Sequence, residues 1–129
     1  VQAARGDAAS VRALVEPHPR RDARLATMVS NHDRFAGARL WDQVQGDEAR
    51  YRLAAAGYLL QPGTPFVYYG EEIGQAGLPE LKGDLELRAP YSWTADGGFS
   101  SGRPFRPLAP NAATHNLEAQ RRDPDSLWH

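Results

Sequence analysis

The sequence predicts an α/β fold organised around one strand–helix–strand unit, and three segments carry that expectation. Residues 25–30 (LATMVS) form a short, mostly apolar run containing Thr27 and Val29 and bounded by charge, as expected of a buried strand. Residues 47–60 (DEARYRLAAAGYLL) read as a helix. Residues 65–69 (PFVYY) are apolar and aromatic, and read as a second buried strand. Strand, helix and strand in this order imply parallel strands joined by a right-handed crossover.

Around this unit the remaining elements follow in order. Residues 8–15 (AASVRALV) suggest a short helix with Asp7 as its N-cap, stopped by Pro17 and Pro19. Residues 20–24 are a charged connector. Residues 31–46 are expected to be a loop with Gly37, Gly46 and a buried Leu40-Trp41 pair. In the 47–60 helix, Asp47 is placed to cap the first turn and Glu48 to sit favourably at the positive end of the helix dipole. Leu53, Ala56, Gly57 and Leu60 recur at three- and four-residue spacing and predict its buried face. Pro62-Gly63 ends it.

From Gly70 the periodicity disappears, and glycine and proline recur as far as Pro110. A stretch this long without regular structure is uncommon in a compact domain and is usually functional or disordered. Tyr91, Trp93, Phe99 and Phe105 argue against plain disorder, so we read a packed excursion over an active-site face. Residues 116–120 begin a turn of helix, and Ser126 is read as the cap of another. No internal repeat is present.

Composition excludes some classes and favours none. The 129 residues suit one ordinary domain, and the ends (no initial Met, a close on SLWH) read as those of a fragment. Fifteen basic and sixteen acidic residues are mixed along the chain, so the basic stripe of a nucleic-acid binder is missing. The absence of cysteine removes disulfides and thiolate metal sites without fixing a compartment. No apolar run approaches the ~20 residues of a membrane span. Three tryptophans, five tyrosines and four phenylalanines suit a sugar-binding surface and a folded core equally.

Candidate chemistry begins where the first strand ends, at Asn31-His32-Asp33. In parallel α/β barrels the catalytic groups sit at such strand-to-loop junctions. A short acid there can accept hydrogen bonds from hydroxyls such as those of a sugar, and a neighbouring histidine can donate to another. The structural alternative is that Asp33 caps a loop and His32 is a satisfied polar residue. Glu71 and Glu72 form a carboxyl pair, but adjacent residues point in different directions and do not readily flank one bond. We read both as holding their loop by hydrogen bonds, and Arg88 as an anchor of the long loop. Ser30, His32 and Asp33 lie on one short segment and cannot converge as a triad, and no Gly-x-Ser-x-Gly elbow occurs. His18, His32, His115 and His129 lack metal-ligand spacing. No calcium loop and no phosphate-binding glycine pattern opening a helix is found.

The order and spacing of four segments resemble the alpha-amylase family of glycoside hydrolases. Residues 29–33 (VSNHD) look like that family's fourth conserved region, and residues 63–74 (GTPFVYYGEEIG) like its eighth strand and following loop. Residues 87–93 (LRAPYSW) resemble its Arg-x-Pro-Met-x-Trp segment, and residues 116–120 (NLEAQ) followed by 123–127 (DPDSL) the approach to its eighth helix. The sequence departs at Met28, where the family often has an aromatic residue, and at Tyr91, where it usually has Met. The resemblance implies a fragment of a (β/α)₈ TIM barrel, with residues 1–129 holding strands seven and eight and a long irregular loop after the last strand. It also implies a retaining mechanism on α-1,4-linked glucans such as starch or maltooligosaccharides, with nucleophile and acid/base upstream of Val1. Asp33 would then be the transition-state-stabilising acid, with His32 and Asn31 as substrate-binding residues. Alternatives are an α-glucosidase or glucan transferase of the same family, and a non-catalytic carbohydrate-binding or interaction fragment. The chain alone is expected to be inactive, to need no cofactor of its own, and to leave any calcium to residues outside it.

Overall fold

The computed structural model describes Ala8, Ala9, Arg12, residues 26–98 and residues 100–129. Ala8, Ala9 and Arg12 are helical. The rest of the helix expected over 8–15, its Asp7 cap, the 20–24 connector, His18, Leu25 and Phe99 lie outside the described residues.

Strand β1 (Ala26–Thr27) pairs in parallel with β2 (Thr64–Pro65), in the register Ala26↔Thr64 and Thr27↔Pro65. The ladder is extended by Phe66 N–H donating to the Thr27 carbonyl at 2.8 Å. Parallel pairing across the intervening helix is the arrangement the sequence predicts, but the regular ladder is shorter than the two apolar runs. Those runs are also not buried as expected: Phe66 is 55% and Val67 50% exposed, and Met28 and Tyr69 are exposed as well. The reason is simple. A ladder two strands wide has an uncovered outer edge on each strand, and one helix cannot cover both faces.

Helix α1 (Leu40–Gln43) and a 3₁₀ turn at Arg34–Ala36 occupy the segment expected to be loop. Leu40 is fully buried, and Trp41 only partly so. Helix α2 (Glu48–Leu59) begins as predicted, with the Asp47 carboxylate accepting from Arg50 N–H at 3.0 Å. Its buried face differs from expectation. Tyr51, Ala54 and Tyr58 face inward, whereas Leu53, Ala56, Gly57 and Leu60 face solvent. Apolar side chains are spread around this helix, so hydrophobicity alone does not choose a face. The choice falls to the two tyrosines, which pack their rings inward and carry hydroxyls to Glu71: Tyr51 Oη donates to the Glu71 carbonyl at 2.6 Å, and Tyr58 Oη lies 3.5 Å from its carboxylate. Leu40, Val44, Tyr51 and Ala54 form one core cluster, against which Val29, Trp41 and Leu127 pack.

The segment after Gly70 is packed, with 3₁₀ turns at Glu71–Ile73 and Gly83–Leu87 and a second cluster of Leu78, Ala89 and Ala109. Side chains from distant segments satisfy its backbone. Asp42 accepts from Gly77 N–H at 2.8 Å, and Gln75 from Ser92 N–H at 3.0 Å. Asn111 accepts from Ala76 N–H and donates to the Gly74 carbonyl, and Gln120 donates to the Ile73 carbonyl at 2.7 Å. Gly70 must be glycine: its φ is +84°, and a Cβ there would stand 2.9 Å from the Gln75 Cβ. Helix α3 (Leu117–Gln120) is capped by Asn116, which accepts from Ala119 N–H at 2.9 Å, as its position in the sequence suggests. Ser126 caps no helix among the described residues; its hydroxyl donates to the Gln120 carbonyl at 2.8 Å.

Arg39 is the most consequential residue that sequence reading missed. It is fully buried, with its guanidinium 4.2 Å from the Tyr68 ring centre and 4.5 Å from that of Tyr69. Nε and Nη2 donate to the Leu87 carbonyl at 3.0 and 2.8 Å, and Nη1 donates to the Tyr69 carbonyl. One side chain thus joins the end of the second strand segment to the turn before Arg88.

Arg39→Met is expected to destabilise the fold, because each buried carbonyl left without a donor costs about 1–3 kcal/mol. Arg39→Lys keeps the charge but loses the planar fork, and should also lower the urea midpoint. A Lys variant with a parental midpoint would show that the fork is dispensable. The uncovered ladder edges and the apolar Phe66 and Val67 side chains further predict that the isolated 129-residue chain self-associates. Size-exclusion chromatography across a concentration series reads this, and a stable monomer would contradict it.

Candidate active site

Asn31, His32 and Asp33 follow β1 after three residues and lie where the chain turns out of the sheet. The turn is local. Asn31 Oδ1 accepts from Asp33 N–H at 2.7 Å, a side-chain mimic of a backbone turn, and Asp33 precedes the 34–36 turn in an extended conformation. This holds the Asp33 backbone. His32 is largely exposed, and its Nε2 stands 3.4 Å from Asp33 Oδ1.

The side chain of Asp33 is held from much further along the sequence. Arg88 Nη2 lies 3.1 Å from Asp33 Oδ1 and 3.2 Å from Asp84 Oδ2, while Arg88 Nε donates to the His32 carbonyl at 3.0 Å. Asp84 in turn accepts from Arg34 N–H at 2.8 Å, and Arg34 pairs with Glu86. Arg88 therefore does anchor the long loop, and it does so on the candidate catalytic acid. Sequence reasoning did not single out Arg34, Asp84 or Glu86. Their charges gave no signal, because nothing in the one-dimensional pattern brings residue 34 beside residues 84–88.

Glu71 and Glu72 diverge. The Glu71 carboxylate accepts from the Ser30 hydroxyl and from Tyr68 N–H at 3.2 Å, with Tyr58 nearby. Burial is the main cause that pushes its carboxyl above the ordinary glutamate range, with these hydrogen bonds opposing. Burial is also the main cause raising the Tyr51 and Tyr58 hydroxyls, and the Glu71 charge adds to it. Glu72 is hydrogen-bonded to Tyr91, while its Oε2 is buried without a partner among the described residues. The pair does not converge on one point. Glu71 instead ties the end of the first strand segment, through Ser30, to helix α2 and to the loop that follows the second.

Beyond Arg88 the long loop opens a groove of about 500 Å³ lined in part by Pro90, Tyr91, Trp93, Phe105 and Leu108, with the Tyr91 and Trp93 rings edge-on at 4.6 Å. No cluster of three or more His, Cys, Asp or Glu side chains arranged to hold a metal occurs among the described residues. No helix among them is long and apolar enough to cross a membrane.

A family model described as the alpha amylase catalytic domain matches residues 10–129, and the chain belongs to the alpha-amylase family. Among curated relatives, a trehalose synthase from Thermus thermophilus is 37% identical over an alignment of 98 residues that covers 69% of this chain and 10% of that protein. Among solved structures, the alpha-amylase from H. orenii superposes with a TM-score of 0.58 at 32% identity, covering 80% of this chain and 20% of that one. An isomaltulose synthase variant from Erwinia rhapontici NX5, solved in complex with sucrose, superposes with a TM-score of 0.74 at 23% identity, covering 93% of this chain and 28% of that one. These structural neighbours are (β/α)₈ barrel proteins of that family, and this chain matches a part of them. The chain spans only part of its curated relatives, 10% of the length of the trehalose synthase and 25% of that of a probable oligo-1,6-glucosidase from Bacillus subtilis.

The raised carboxyl of Glu71 has a definite consequence for stability. The folded state binds this proton more tightly than the unfolded chain, so the contribution of Glu71 falls as pH rises from the ordinary value of 4.5 through the raised one, and is flat above it. Glu71→Gln should remove that slope. The difference in unfolding free energy between parent and variant, followed from pH 4 to 8, is expected to shift in the variant's favour as pH rises; a difference independent of pH would refute it.

Proposed function

We propose that residues 1–129 are part of a retaining catalytic barrel acting on α-glucosidic bonds, holding its seventh and eighth strands, with Asp33 as the acid that stabilises the transition state. The observation that carries this reading is the preorganised Asp33 carboxylate, set at the end of the first strand segment and held by Arg88 at 3.1 Å beside His32. A fixed carboxylate facing the anomeric centre opposes the positive charge that develops as the glycosidic bond breaks. Its hydrogen bonds to sugar hydroxyls tighten as the ring flattens. Exposed His32 supplies a donor to a hydroxyl of the same sugar, and Asn31 fixes the turn that presents both while offering its amide. The nucleophile and the acid/base lie on other strands of the parent barrel, so this chain by itself performs no hydrolysis. Any calcium belongs to residues outside it.

The first substrate class is α-1,4-linked glucan, starch or maltooligosaccharide. An α-glucosidase or glucan transferase on the same scaffold is the second, and the names of two relatives, a trehalose synthase and a probable alpha-glucosidase, support it. Both classes use the same role for Asp33.

In the whole protein, Asp33→Asn preserves shape but removes the charge, and should lower kcat on the order of 10²–10³-fold, as for loss of one preorganised transition-state contact. His32→Asn should cost less, because a neutral hydroxyl contact is worth about 0.5–1.5 kcal/mol net. Turnover of maltoheptaose, maltose and trehalose by variants with matched circular dichroism measures this and separates the two substrate classes. Parental kcat in Asp33→Asn on every substrate would remove Asp33 from the chemistry.

A further inference from the structure

We propose that Arg88 is a positioning residue for Asp33, so that the 83–88 turn of the long loop sets the orientation of the catalytic carboxylate as well as supporting it; this rests on the role of Asp33 proposed above. The geometry is a two-point clamp. Arg88 Nη2 meets the Asp33 side chain at 3.1 Å while Nε, on the same rigid plane, donates to the carbonyl of His32 at 3.0 Å. Fixing one guanidinium against both the carboxylate and the peptide unit before it leaves the Asp33 side chain little rotational freedom. His32 and Arg88 both meet Asp33 at Oδ1, which leaves Oδ2 for a sugar hydroxyl.

The clamp is itself fixed. Asp84 takes the other side of Nη2 at 3.2 Å, and also accepts from Arg34 N–H at 2.8 Å, immediately after Asp33. The Arg34–Glu86 pair crosses between the same two segments. Arg106 Nη1 donates to the Arg88 carbonyl at 3.1 Å, so the backbone carrying the guanidinium is held from the far side of the loop. Stability alone does not account for this arrangement. Both partners of the Arg88–Asp33 pair are partly exposed to water, and pairs of that kind contribute little to folding. What the clamp supplies is direction, and small misplacements of a reacting group are costly to rate even when they are nearly free in stability.

The test uses the whole protein with Arg88→Ala, Arg88→Lys and Asp33→Asn. Positioning predicts that Arg88→Ala lowers kcat on the order of 10–100-fold with little change in KM or in melting temperature. Added guanidinium, at concentrations too low to denature, should restore part of that loss in Arg88→Ala and none in Asp33→Asn. Arg88→Lys keeps a positive charge but cannot reach both acceptors in one plane, so it should also lose kcat, and it remains informative if the alanine variant fails to fold. A rise in KM at parental kcat would overturn the proposal in favour of direct sugar binding by Arg88. Parental kcat in Arg88→Lys would reduce the residue to a charge anchor, and a kcat loss that guanidinium leaves untouched would make it a structural strut. If Asp33→Asn is itself fully active, the reading of Asp33 fails and the positioning role falls with it; if only the Arg88 variants are active, the positioning role alone fails.

Discussion

The burial of Arg39 is the constraint on which the rest of this structure depends. A buried cation is tolerated only where hydrogen-bond acceptors meet it. Here the acceptors are backbone carbonyls of Tyr69, at the end of the second strand segment, and Leu87, in the loop that follows it, and two aromatic faces close over the charge. Because Leu87 immediately precedes Arg88, fixing its carbonyl also fixes the start of the side chain that reaches Asp33. The candidate acid is thereby connected to the core through two arginines, one buried and one at the surface.

A second consequence concerns how so irregular a segment stays ordered. With a ladder of two residues in each strand, little backbone is satisfied by sheet pairing. Buried N–H and C=O groups must find partners somewhere. Asp42, Gln75, Asn111 and Gln120 supply them, each at least 17 residues from the backbone it serves. The loop is rigid in the places where these side chains enter it, and those places lie on either side of the 83–88 turn. Glu71 does the same work on the strand side, drawing Ser30 and Tyr58 onto one carboxylate at the cost of burying it.

The exposure of Phe66, Val67, Leu53 and Leu60 has a matching explanation. In a barrel each strand has neighbours on both sides and each helix packs on the outside of the sheet. Residues that such a setting would cover stand uncovered in a unit of one strand pair and one helix. The apolar character of both runs was legible in the sequence; the area available to bury them was not.

How far the sequence reaches can be argued from particular residues. Asp47 and Asn116 announced their helix starts, because capping needs only a short polar side chain three residues before a free N–H. Parallel pairing of the two runs followed from the helix between them, and the family followed from motifs whose residue order survives in one dimension. The inward face of helix α2 did not follow, since Leu53 and Leu60 are as apolar as Tyr51 and Tyr58, and only the position of Glu71 in space makes a hydroxyl the better choice. Arg39 looks like any surface arginine in the chain, and Arg88 could be read as an anchor of its loop but not as a partner of Asp33. Their roles come from acceptors 30 to 56 residues away in sequence, and no local pattern encodes contacts that only the folded chain brings within hydrogen-bond reach.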